Sequence, residues 1–134
     1  FDENSPHKVI DFMPDQYASI QKGGTMRLGS YRCKVMAGTL LEMCYAQPLI
    51  HERHRHRYEF NNHYRERLAE AGVNFCGTSP DGKLVELIEL NDHPFFMACQ
   101  FHPEFQSKPD AAHPLFKGFI AACSAQAHAR PVQV

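Results

Sequence analysis

Residues able to do chemistry cluster in Cys99-Gln100-Phe101-His102-Pro103-Glu104-Phe105, where an imidazole and a carboxylate stand two positions apart at the end of an apolar run. A residue before proline is pushed out of the helical region, and residues i and i+2 of an extended chain face the same side. The spacing therefore predicts an extended His102 that shares one face with Glu104. A nucleophile-activating base needs that pairing: the histidine takes a proton, and the acid fixes its tautomer and stabilises the imidazolium. A strand-end histidine beside a solvated glutamate fits the same spacing, since no single spacing proves a triad. Cys99, three residues ahead of His102, should alternate to the opposite face among apolar neighbours that do not activate a thiol.

A second stretch, His51-Glu52-Arg53-His54-Arg55-His56-Arg57-Tyr58-Glu59, is dense in cations and imidazoles. An extended conformation puts His54, His56 and Tyr58 on one face and Arg53, Arg55, Arg57 and Glu59 on the other. Four uses compete. His54 and His56 could begin a metal site but supply only two ligands. A nucleic-acid patch would need basic residues beyond the strip. Guanidinium forks could grip carboxylates, either across a sheet or on a small anionic substrate. The plainest use is a solvated basic strand.

The rest of the chain must position these two stretches. Its 134 residues amount to about one domain with a real core, and 43% hydrophobic and 22% charged residues are ordinary for a soluble protein. A net charge of −1 gives no global pull towards nucleic acid or an anionic membrane, so neither is expected as a partner. No apolar run approaches the roughly 20 residues of a membrane span, and the opening residues do not read as a signal peptide. Five widely spaced cysteines without a Cys-x-x-Cys pair read as reduced thiols in a cytoplasmic protein. A start at Phe1 rather than methionine suggests a chain cut from something longer.

Periodicity and punctuation predict the elements. Lys8 to Met13 is a short strand, and Thr25 to Val35 an edge or antiparallel strand kinked near Gly29. Thr39 caps a short helix that runs towards Pro48. Asn61-Asn62 caps a helix over 63–71 with Gly72 just past its end. Val73–Ser79 and Lys83–Leu90 form a hairpin about Ser79-Pro80-Asp81-Gly82. Phe95 to Cys99 reads as a buried strand, and Pro114 opens a helix whose buried face is Leu115, Phe116, Phe119, Ile120 and Cys123. The residues from 127 to 134 read as a frayed tail.

Two motifs together carry a family resemblance. Gln100-Phe101-His102-Pro103-Glu104 resembles the histidine and glutamate end of the triad in class I glutamine amidotransferases, which release ammonia from glutamine with a cysteine thiolate. Glu52-Arg53-His54-Arg55-His56-Arg57-Tyr58-Glu59-Phe60-Asn61, with Gly23-Gly24-Thr25-Met26-Arg27-Leu28-Gly29 upstream, resembles the amidotransferase domain of the CTP synthase family, and the likeness runs to about Cys123.

The resemblance implies an α/β fold, with residues 1–134 the C-terminal portion of a flavodoxin-like amidotransferase domain. It implies His102 as general base, Glu104 as its orienting carboxylate, and Arg57 as the group that holds the α-carboxylate of L-glutamine. Thr25 and Arg27 would lie in a segment that responds to the activator GTP. ATP and Mg2+ would belong to a synthetase domain of the same chain, which aminates UTP, with a homo-oligomeric tetramer as the assembly and no cofactor in this portion. One departure is large: the family nucleophile sits in a Gly-x-Cys-x-Gly elbow, and none of Cys33, Cys44, Cys76, Cys99 or Cys123 has that setting. The expectation is that the elbow and the oxyanion loop lie upstream of Phe1. The portion alone should then lack glutaminase activity and be stable only beside the rest of its domain.

Overall fold

The computed structural model describes residues 2, 4–12 and 26–129. In order these form β1 (Ile10–Asp11), β2 (Arg27–Val35), α1 (Leu40–Tyr45), β3 (Leu49–His56), β4 (Glu59–Phe60), α2 (Arg65–Glu70), β5 (Val73–Thr78), β6 (Val85–Leu90), β7 (Met97–Cys99) and α3 (Pro114–Ala129). Short 3₁₀ turns stand at Asn62–Tyr64 and Pro103–Gln106.

Alternation in β2 and β3 builds one side of the sheet in an α/β fold. The two strands pair antiparallel from Arg27 opposite His56 to Lys34 opposite Leu49. One face of the pair is buried and carries Arg27, Cys33, Val35, Ile50, Glu52 and His54, while Arg32, Lys34, His51, Arg53 and Arg55 point to solvent. The sheet continues in the order β3-β2-β5-β6-β7, and β1 pairs with β4 as a separate two-stranded unit. Every strand pairing among the described residues is antiparallel.

Local signals explain the elements. Gly29 takes φ +112 inside β2, a conformation open to glycine, and the pairing with β3 runs through it without a register shift. Thr39 caps α1 by accepting from the Glu42 N–H at 3.1 Å. Asn61 accepts from the His63 N–H at 3.0 Å, so the expected 63–71 helix begins as a 3₁₀ turn and becomes α-helical at Arg65. β5 and β6 form the expected hairpin, with the Gly82 N–H bonded to the Ser79 carbonyl at 2.8 Å. At Gly77 a Cβ would stand 2.6 Å from Leu87 Cδ1 and 3.0 Å from Cys33 Sγ, so a side chain there would require these core side chains to shift.

The core is Cys33, Val35, Leu41, Ile50, Cys76, Leu87, Phe101 and Leu115. Two expectations about it need correction. The 95–99 run is not a buried strand: β7 has three residues, has β6 on one side only, and is at most half-buried. Of the face expected to be buried on α3, only Leu115 is; Phe119 meets the Phe95 ring at 6.1 Å between centroids and is still 50% exposed, and Ile120 is 64% exposed. The helix also continues through Ala129, three residues into the segment read as frayed.

Past β7 the chain crosses between the two ends of the sheet. The Gln100 N–H bonds the Glu86 carbonyl on β6 at 2.9 Å, and the His102 N–H bonds the Arg53 carbonyl on β3 at 2.8 Å. Two residues thus bridge strands that are three places apart in the sheet order, which requires the sheet to curl. The crossing sets the start of the Pro103–Gln106 turn against the outer edge of β3.

Candidate active site

His102 caps the 3₁₀ turn in an extended conformation (φ −112, ψ 91), with Pro103 as the first turn residue. Its Nδ1 lies 2.8 Å from Glu104 Oε1, and its ring stacks on Phe105 at 5.1 Å between centroids. The expected pair is present, but Glu104 returns to His102 through the 3₁₀ turn rather than along a strand. With Nδ1–H donating to the carboxylate, Nε2 is the basic nitrogen, and it has no partner among the described residues. The two side chains are 37% and 57% exposed. The hydrogen bond from His102 lowers the Glu104 carboxyl below its ordinary value, keeping the orienting group ionised. A base with one nitrogen fixed by an acid and the other open can take a proton from an approaching thiol.

No half-buried or buried thiol is prepared to be that nucleophile. Cys99 donates weakly to the Phe101 carbonyl at 3.4 Å; burial first, then the charges of Glu52 and Glu104, push its thiol up to about 12. Burial likewise pushes Cys33 up to about 12 and raises Cys44 and Cys76. A catalytic cysteine requires the opposite shift.

The histidine and arginine strip splits by face. Arg53, Arg55 and Arg57 are exposed and make no ion pair among the described residues, so none grips a carboxylate across the sheet. Arg57 stands just beyond the end of β3, about 13 Å of extended chain from Arg53, whose carbonyl holds the His102 N–H. Its guanidinium is available to an anionic ligand.

The buried side of the strip is a charge cluster that sequence reasoning missed. Arg27 places Nη1 3.1 Å from Glu59 and Nη2 2.7 Å from Glu86. His54 Nε2 is 2.7 Å from Glu86, His56 Nε2 is 2.9 Å from Glu59, and Gln100 Nε2 donates to Glu59 at 2.8 Å. Glu59 was expected on the arginine face. The strand breaks at Arg57 and Tyr58, and the chain re-enters at β4 with Glu59 turned inward. Burial by itself raises the Glu59 and Glu86 carboxyls, but His56, His54 and Arg27 outweigh it and hold both below the ordinary value. The cluster also fixes the other predicted residues. The Arg27 guanidinium is committed to two carboxylates, and Thr25 lies outside the described residues. His54 has Nε2 on Glu86 and Nδ1 3.0 Å from the Glu52 carbonyl, so it has no free nitrogen for a metal. A signal that could have revealed the cluster is Glu86, an acid between Val85 and Leu87 near the start of β6.

Comparison with known proteins decides the class. The family model for class-I glutamine amidotransferases matches residues 8–122. The chain belongs to that family. Among individual amidotransferase relatives, it is 62% identical over 123 residues to a CTP synthase of Rubrobacter xylanophilus, covering 92% of this chain and 22% of that protein. It is 58% identical over 121 residues to a CTP synthase of a Synechococcus strain, covering 90% of this chain and 22% of that protein. A solved structure of the Trypanosoma brucei CTPS glutaminase domain with bound acivicin superimposes with a TM-score of 0.85 at 32% identity, over 93% of this chain and 49% of that one. The chain thus spans about a fifth of the length of the curated relatives it matches.

Proposed function

We propose that the chain supplies the base and the substrate anchor of a glutamine-hydrolysing CTP synthase. The carrying observation is His102, with Nδ1 held 2.8 Å from Glu104 and Nε2 open, in a family that hydrolyses glutamine. The names of the relatives narrow the class to a glutaminase serving CTP synthesis. Glutamine binds with its α-carboxylate on Arg57, for which a guanidinium fork is suited. A cysteine from outside residues 1–134 passes its thiol proton to His102 Nε2, and the thiolate attacks the amide carbon. The protonated His102 returns that proton to the departing ammonia. Water, deprotonated by the same nitrogen, then cleaves the thioester to glutamate.

Ammonia released in this way aminates UTP at the expense of ATP in a synthetase domain of the same polypeptide. ATP and Mg2+ belong to that domain and need no site in this chain. A GTP response through the Thr25–Arg27 segment would act by way of the Arg27 cluster, since that guanidinium is already engaged. Release of ammonia from glutamine by the longer polypeptide tests the reading. His102→Ala should lower turnover about 10²–10⁴-fold, as loss of a positioned general base does; a variant within threefold of the parent would sink the proposal. Residues 1–134 alone should show no turnover. Activity there that disappears in Cys99→Ala would overturn the placement of the nucleophile.

A further inference from the structure

We propose that Glu52 is the positioning residue of the His102–Glu104 pair and acts on it through Gln106. Three consecutive residues of β3 hold the catalytic turn at its two ends. The Arg53 carbonyl takes the His102 N–H at 2.8 Å, while the His51 carbonyl and the Glu52 carboxylate take the two amide hydrogens of Gln106 at 2.9 and 2.7 Å. Glu104 lies between those ends, so its distance to His102 is set by how firmly both are tied.

Glu52 is built for this task. It is 2% exposed, and three donors converge on it. Gln106 uses Oε2, while Tyr45 Oη–H at 2.7 Å and His113 Nε2–H at 3.0 Å use Oε1. The Leu115 N–H points at His113 Nδ1 at 3.3 Å, which places the ring proton on Nε2. Tyr45 ends α1 and His113 precedes α3, so one carboxylate ties both helices and the catalytic turn to β3. A buried carboxylate is costly without such partners, and a displacement of about 1 Å can cost a catalytic group two orders of magnitude.

The inference rests on the function proposed above, and its test separates the two. Glutamine hydrolysis by the longer polypeptide is measured for the parent and for Gln106→Glu, Gln106→Leu, the double variant Glu52→Gln/Gln106→Glu, and His102→Ala. Gln106 lies at the surface, so its single variants should stay folded at the assay temperature, with a lowered thermal midpoint because Glu52 loses a donor. Gln106→Glu sets two carboxylates against each other and should lower kcat about tenfold or more, with KM for glutamine within about threefold. Gln106→Leu should show the same split. The double variant restores an amide–carboxylate pair in reverse and should recover kcat to within about threefold of the parent. Parental kcat in both Gln106 single variants, or a Gln106→Glu loss that the folded double variant does not recover, overturns the positioning role. Undiminished turnover in His102→Ala would instead overturn the proposed function itself.

Discussion

His102 Nδ1 stands 2.8 Å from Glu104 Oε1 at the solvent-open start of the Pro103–Gln106 turn. Because Glu104 is well exposed, its contribution lies in holding the tautomer that leaves Nε2 basic, not in stability. Glu104→Gln removes the anion while keeping the shape. It should lower the turnover of glutamine by the longer polypeptide about 10–10³-fold and leave the unfolding midpoint unchanged, as other surface substitutions do. A variant equally active, or one that loses activity only by unfolding, would contradict this assignment.

Cys99 tests the nucleophile by exclusion. Its thiol, pushed up to about 12 by burial, is almost wholly protonated at neutral pH, and Cys33 is the same. Cys123 is the exposed thiol of the five. Iodoacetamide at pH 7.5, read by peptide mass, should label Cys123 first and leave Cys33 and Cys99 intact until the chain unfolds. Rapid alkylation of Cys99 in the folded protein would reopen it as a candidate.

Arg27, Glu59 and Glu86 make stability depend on acid in a defined direction. Both carboxyls are depressed in the folded chain. The stability they contribute is therefore complete above the ordinary carboxylate value of about 4.3 and is lost as pH falls through the lower folded value. Arg27→Met leaves the two buried acids without their shared cation and should cost about 3–5 kcal/mol at pH 7. Below about pH 4, where protonation relieves the variant and strands Arg27 in the parent, the difference should shrink. Urea unfolding of the amidotransferase domain at pH 7 and at pH 3.5 measures both; a gap that widens in acid would refute the account.

The Arg27 cluster also shows where sequence reading stopped. Alternation from Tyr31 to Val35 and from His51 to His56 has the period of a pleated strand, so the two strands and the shared face of His54 and His56 were legible, but not that this face is buried. His102 and Glu104 were legible as a pair because proline constrains its predecessor, although the turn that joins them was not. Glu59 was misplaced because a two-residue break resets the face, and nothing in Arg57-Tyr58 announces one. The α3 face was misjudged for a different reason: amphipathic spacing marks a side that can be buried, but what buries it need not lie within the same stretch of chain.

Arg57 separates binding from chemistry. Its guanidinium is exposed, makes no ion pair among the described residues, and stands beyond the strand that carries the His102 anchor. If it holds the α-carboxylate of glutamine equally in the ground and transition states, removing it weakens binding without slowing the bound complex. Arg57→Ala should therefore raise KM for glutamine about 10–100-fold and leave kcat within about threefold. Arg57→Lys should recover only part of the loss, since an ammonium offers a point charge where the fork offers two parallel donors. The comparison substrate is 4-aminobutyramide, which keeps the reacting amide and the amino group and lacks the α-carboxylate. The parent and Arg57→Ala should hydrolyse it with similar kcat/KM, whereas an equal loss on both substrates would place Arg57 outside the carboxylate pocket.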